Sequence, residues 1–287
     1  MKSPSEVSLR WAGLGAALLC LVGFASLPAC ARAASLPDHA SASTILEHFR
    51  QSIWSEPVYA EFDLRQLPRR GEEKDFKGRF WGARNDRGPI TRVELDVGKG
   101  GMTRHLLIQG GPDGAIWVSD GPGAGRPADD ILLTPLVPGV EMTPFDLLPM
   151  PYLYWLDYDL ASIERIRGRP AYTFVFSPSA EFSDKFLTVK SVRAYLDTQY
   201  DALVQSEAIG PAGKVAKTLS LLELRKVGDR WIPKDVEVRN EASRDKTRLS
   251  LTAVAVGVAP DPAIFDPALL GAPVAGVKGP GLLRVNP

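Results

Sequence analysis

Between residues 58 and 258 the chain alternates apolar and polar side chains in one short segment after another, and its main interruption is a single apolar stretch at 142–155. A period of two puts successive side chains on opposite faces of a strand, so each segment reads as half-buried β-structure. In the first of them Val58, Ala60, Phe62 and Leu64 share one face, and Tyr59, Glu61, Asp63 and Arg65 the other. Similar runs follow at 75–84, 90–97, 104–109 and 115–119, then at 163–167, 171–176, 190–197, 202–209, 217–227, 231–240 and 248–258. Turns such as Gly168-Arg169-Pro170 and Gly228-Asp229 separate them, and many strands joined by short polar turns make an antiparallel meander.

A long meander must hide its apolar face by closing on itself, by pairing with another sheet or by taking helices onto a curved face. Two covers are available. Ser43 can cap a helix in which Ile45, Phe49 and Ile53, with Leu46, recur at helical intervals until Pro57. The second is the interruption, MTPFDLLPMPYLYW, where Pro144, Pro149 and Pro151 break the chain into short pieces suited to a movable lid. The expected fold is therefore α+β: a strongly curved antiparallel sheet, an incomplete and half-open barrel, with helices over its concave face.

The amino terminus reads as an export signal. Lys2 and Arg10 precede an apolar run at 11–24, and Ala31-Arg32-Ala33 supplies a small-residue cleavage site, so 1–33 is expected to be removed on export to the periplasm. Leu27-Pro28-Ala29-Cys30 offers a rival, lipidation at Cys30. The remaining boundaries are a spacer at 34–42, one domain at 43–270 and a mobile Gly- and Pro-rich tail at 271–287. With 34 acidic and 34 basic residues there is no electrostatic case for a nucleic-acid partner. Both cysteines, Cys20 and Cys30, fall in the leader, so a soluble mature form has no thiol chemistry.

The residues do not assemble a catalytic or metal motif. His39, His48 and His105 lack the i, i+4 spacing of a helical metal site, and neither a metal nor a cofactor is expected. Ser119 and Ser177-Pro178-Ser179 have no nucleophile-elbow context, and His105 would be their sole base. Residues 110–114 are glycine-rich but lie between strands, where hairpin geometry accounts for them. What remains is aromatic. Phe62, Phe80, Trp81, Trp117, Phe145, Tyr152, Trp155, Tyr172 and Phe174, with Leu148, are the candidates to line an apolar pocket between sheet and lid.

Several short motifs, in this order, resemble the periplasmic lipoprotein carriers of the LolA-like superfamily. They are Gly78-Arg79-Phe80-Trp81 with Arg84, Gly114-Ala115-Ile116-Trp117, residues 142–148, Gly168-Arg169-Pro170-Ala171-Tyr172, Tyr195-Leu196-Asp197, Trp231-Ile232-Pro233 and Pro260-Asp261 with Phe265. The resemblance implies a half-barrel that holds acyl chains of lipoproteins or other lipids, receives and delivers them through envelope lipoprotein-transfer proteins, and closes its lid through an arginine at the position of Arg84. It implies no enzyme. Two other readings stand beside it: an envelope interaction or sensing module on the same sheet, tethered through Cys30, and a hydrolase built around a serine and His105.

Overall fold

The structure, a computed structural model, describes residues 38–97, 101–200, 202–228 and 230–285. The export segment and Cys30 lie outside the described residues. Leu36–Pro287 forms one compact unit. Its first element, α1 (His39–Ser52), begins earlier than Ser43. Asp38 is the N-cap and its carboxylate accepts the Ser41 amide at 2.8 Å. The opening turn, His39-Ala40-Ser41-Ala42, has no large apolar side chain, so it carries little apolar rhythm to reveal it. The supposed spacer is thus partly helix, and Ala42, Leu46, Phe49 and Ile53 form its buried stripe.

Two meanders follow. The first is β1 (Val58–Leu67), β2 (Lys74–Asn85), β3 (Gly88–Asp96), β4 (Thr103–Gln109), β5 (Ala115–Ser119) and β6 (Arg126–Pro127). The second is β7 (Asp157–Ile166), β8 (Arg169–Ser177), β9 (Ser191–Asp197), β10 (Leu203–Ile209), β11 (Val215–Val227), β12 (Arg230–Asn240) and β13 (Lys246–Val256). A short helix, α2 (Ala180–Lys185), interrupts the second between β8 and β9, and β14 (Leu283–Arg284) closes the chain. All paired strands are antiparallel, and the described strands form one open sheet in the order β6-β5-β4-β3-β2-β1-β13-β12-β11-β10-β9-β8-β7. The fold is the open, curved, helix-covered antiparallel sheet that the alternation predicts.

This order determines where the apolar interruption goes. Each meander runs outward from the central β1–β13 pair, and β6 and β7 are opposite edges of the sheet. The chain between them must cross a face from edge to edge. That crossing, hereafter the strap, consists of three 3-10 turns, Asp129–Ile131, Pro144–Asp146 and Pro151–Tyr154, two of them opened by the prolines. It buries Leu132, Leu136, Val137, Val140, Met142, Phe145, Met150, Tyr152 and Leu153 in one cluster with Phe62, Val93, Leu106, Ile108, Phe174, Val192 and Leu251 of the sheet. The principal core therefore lies on the concave face, under α1, the strap and α2.

The convex face of the first meander is covered as well. Residues 262–269 form two further 3-10 turns, and the chain then runs on to β14, which pairs with Ala253 and Val254 of β13. Ile264 packs with Tyr59, Trp81 and Ala255, joined by Val274, Val277 and Leu282. The tail expected to be mobile after Leu270 is thus held against the sheet. The reason is in β3, where Arg92 is 0 % exposed on the convex side and needs acceptors. It finds Glu94 and the carbonyls of Ile264, Leu269, Leu270 and Ala272, while Arg79 donates to the Val274 carbonyl at 2.8 Å.

Candidate functional site

On the concave side the strap and α1 meet over the sheet. Arg50, in the last turn of α1, donates to the Leu153 carbonyl at 2.5 Å and lies over the rings of Tyr154 and Tyr158. Arg84, at the end of β2, donates to the carbonyls of Arg50 and Ile53 at 3.1 and 2.8 Å. A cation on the C-terminal carbonyls of a helix satisfies both orphan acceptors and the macrodipole. Trp54 anchors the same corner: its indole N–H donates to Thr91, and its ring lies so close to Gly82 that a Cβ there would meet it at 2.5 Å. At the other end of the strap Thr143 and Asp146 form a reciprocal cap, and Lys217 of β11 reaches the Asp146 carboxylate at 2.9 Å.

Between these polar fastenings the contacts are rings. Phe145 lies 5.4 Å from Tyr152, 6.2 Å from Trp155 and 6.1 Å from Phe182; Tyr152 lies 5.9 Å from Phe176, which stacks on Phe174 at 6.0 Å. Such centroid distances are those of favourable ring pairs. Burial pushes the Tyr152 hydroxyl above its ordinary pKa, and pushes Tyr154 up against the opposing charges of Arg84 and Arg50. Neither phenol ionises near neutral pH. The Tyr154 hydroxyl is buried with no hydrogen-bond partner among the described residues.

Of the residues singled out in the sequence, Phe62, Phe80, Phe145, Leu148, Tyr152, Trp155, Tyr172 and Phe174 come together on the concave face. Trp81 and Trp117 do not. Each follows a concave residue, Phe80 and Ile116, so strand alternation turns it to the convex side, where Trp81 packs with Tyr59 and Trp117 with Leu107 and Leu270. Phe182 and Phe186 were not anticipated because α2 is a single-turn helix with no apolar period long enough to read. Their signal was composition: two phenylalanines four residues apart after a Ser-Pro-Ser turn, with Ser179 as N-cap.

Among the described residues the strap's own side chains pack against the sheet, and Phe174 and Phe176 beneath it are 0 % exposed. Clefts of about 430 and 470 Å³ lie instead on the convex side, and both are lined mainly by charged and polar residues. His105 and Ser119 are register neighbours on that side, beside Glu94. The Ser119 hydroxyl donates to the Gly121 carbonyl at 2.8 Å, and His105 Nδ1 faces Glu94 at 3.6 Å. Burial alone would raise the Glu94 pKa, but the close approach of His105, the hydrogen bond from Arg79 and the charges of Arg79 and Arg92 hold it below its ordinary value. The row is a buried charge network, with its serine turned elsewhere.

Solved structures match this architecture over most of the chain. A domain described as that of an outer membrane lipoprotein-sorting protein, from Vibrio parahaemolyticus, is 13% identical over 79% of this chain and 97% of its own, with a TM-score of 0.66. A LolA superfamily protein from Nitrosomonas europaea is 15% identical over 78% and 96%, with a TM-score of 0.60. The fold is that of the LolA superfamily. A DUF1329 family protein from Desulfovibrio piger shares it, at 13% identity over 80% and 98% and a TM-score of 0.66. A family model described as "-like: Uncharacterized protein" matches residues 154–271, from the end of the strap through the second meander. No curated protein matches the chain in sequence. In this chain the concave face presents a ring-lined floor beneath the strap.

Proposed function

We propose that the protein is a non-catalytic periplasmic carrier that holds acyl chains of lipoproteins or similar lipids between the concave face and the strap, and passes them between envelope lipoprotein-transfer proteins. The observation that carries this reading is the strap itself. It crosses the sheet from edge to edge on an interface made mainly of aromatic and aliphatic side chains, with single polar ties such as Arg50 to Leu153, Arg104 to Leu136, the Glu141 amide to Thr247 and Lys217 to Asp146. Moving it breaks no strand pairing. The surface so uncovered is apolar, and an acyl chain regains about 0.8 kcal/mol for each methylene it buries there. Arg84 holds α1 in the closed position, and the unpartnered Tyr154 hydroxyl is the polar group at the margin available to an ester or headgroup oxygen. Lipoprotein sorting, named for the Vibrio domain of the same fold, is the process this chemistry suits.

Native mass spectrometry of the protein isolated from its own envelope fraction, followed by lipid extraction, tests the proposal. Bound lipid in the wild type and altered retention in Arg84→Leu are the expected results. A protein free of lipid that holds a stoichiometric protein partner instead overturns the carrier reading in favour of an interaction module.

A further inference from the structure

The concave cover has two seams, and they are built differently. Along the seam between α1 and the strap, guanidinium groups bridge the parts: Arg50 to Leu153, and Arg84 to Arg50 and Ile53. Beyond it, the Ser55–Glu56 turn after α1 is tied to Arg230 at the β11–β12 turn. The seam between the strap and α2 has rings alone. Phe182 lies 4.9 Å from Trp155 and 4.8 Å from Phe186. The hydrogen bonds recorded for α2 close within residues 179–189: Ser179 caps Phe182, Ser183 returns to Ser179, Phe186 to Phe182 and Val189 to Phe186. A helix of six residues has little stability of its own and holds its place through side-chain packing.

From this seam the rings lead inward without a gap. Phe186 touches Phe182, Phe182 touches Phe145 and Trp155, Phe145 touches Tyr152, and Tyr152 touches Phe176 and so the floor at Phe174. The outer end of the series also carries the two most exposed of the large hydrophobic residues among those described. Leu156, next to Trp155, is 92 % exposed, and Leu187, next to Phe186, is 75 % exposed, the two highest values among the exposed large hydrophobic residues. A pair of leucines kept in water beside a ring-lined seam suits a place that meets lipid.

We propose that acyl chains enter and leave between the strap and α2, with Phe182 and Phe186 as the door and Leu156 and Leu187 as the rim that seats on the lipid source. The α1 seam, which Arg84 fastens, is then the fixed hinge side of the cover. This inference rests on the carrier reading and adds the route to it.

The test is stopped-flow transfer of a dansyl-labelled fatty acid from phosphatidylethanolamine–phosphatidylglycerol vesicles to the full mature chain. Removing the ring contacts in Phe182→Ala should speed both uptake and release by about two- to tenfold, the rate equivalent of one aromatic pair, with a much smaller change in Kd. Phe182→Leu, which keeps an apolar side chain, should fall between wild type and alanine. Photolysis of a diazirine-bearing fatty acid at early times should label Trp155, Phe182 or Phe186 before residues of α1. Unchanged rates in both Phe182 variants, or early labelling on α1, overturn the portal and leave the carrier intact. A wild type that takes up no probe removes the carrier reading, and the portal with it.

Discussion

The sheet wears two covers of irregular chain, one on each face, and they are fastened by opposite means. On the convex face, residues 262–285 supply carbonyls to buried guanidinium groups: Arg92, wholly enclosed, binds four of them besides Glu94. On the concave face the strap rests mainly on rings and aliphatic side chains, with Arg50, Arg104 and Lys217 as its cationic ties. Lifting the convex cover would strand a buried charge, for which no ordinary ligand is a substitute. Lifting the concave cover uncovers mainly apolar surface, at about 25 cal/mol for each Å², which an acyl chain can re-cover, and gives up only single ties such as Arg104 to the Leu136 carbonyl, the Glu141 amide to Thr247 and Lys217 to Asp146. Both covers are rich in Pro. Only the concave one is built to be exchanged.

Substituting the convex fastening should have the largest effect. Arg92→Met removes the donors that hold the tail and leaves Glu94 buried with only Arg79 and His105 beside it, which should cost about 3–5 kcal/mol in urea unfolding. Limited proteolysis should then cut within 262–285 while lipid binding by the folded fraction persists. Acid should act on the same network more gently. The folded-state pKa of Glu94 is depressed, so its contribution is complete above the ordinary glutamate value of about 4.3 and is lost as pH falls through the lower folded value. Tail amide exchange should therefore accelerate in that acid window before the exchange of the strap does. Equal acceleration of both covers would erase the contrast.

Most of the sheet was legible because a period of two survives any register, and the strap was legible as an interruption because its prolines forbid a strand or a long helix. The convex cover was not. Arg92 and Glu94 alternate with Val93 and Leu95 exactly as solvent-facing residues would, and nothing local distinguishes a charge facing water from one facing a chain some 170 residues away. Trp81 and Trp117 were grouped with Phe80 on aromatic character, although strand parity, which is legible in the sequence, places them on the other face. Phe182 was illegible for a different reason: one turn of helix has no period. Long-range partners and single turns are what a local reading of sequence cannot supply.

Smaller effects sharpen the concave half of the contrast. Gly82→Leu drives a side chain into the Trp54 ring and should lift the corner of α1, costing about 1–3 kcal/mol by overpacking. Hydrogen exchange should rise in residues 46–54 and stay unchanged in the tail. If the tail loosens equally, the two covers are coupled through the sheet, and the independence assigned to them fails.

The smallest expected effect belongs to Arg84. Its side chain is largely solvent-exposed, and its two bonds to the Arg50 and Ile53 carbonyls compete with water, so Arg84→Leu should cost only about 1 kcal/mol of global stability. The local consequence is larger than the global one, because the lost bonds hold one end of α1 against the sheet and almost nothing else. Exchange at the C-terminal turn of α1 should increase several-fold, and retention of a dansyl-labelled fatty acid should fall. If the substitution leaves both unchanged, Arg84 is a surface arginine that happens to reach a helix end. The concave cover is then held at α1 by Trp54 and packing alone, which makes the two faces differ more than their hydrogen bonds suggest.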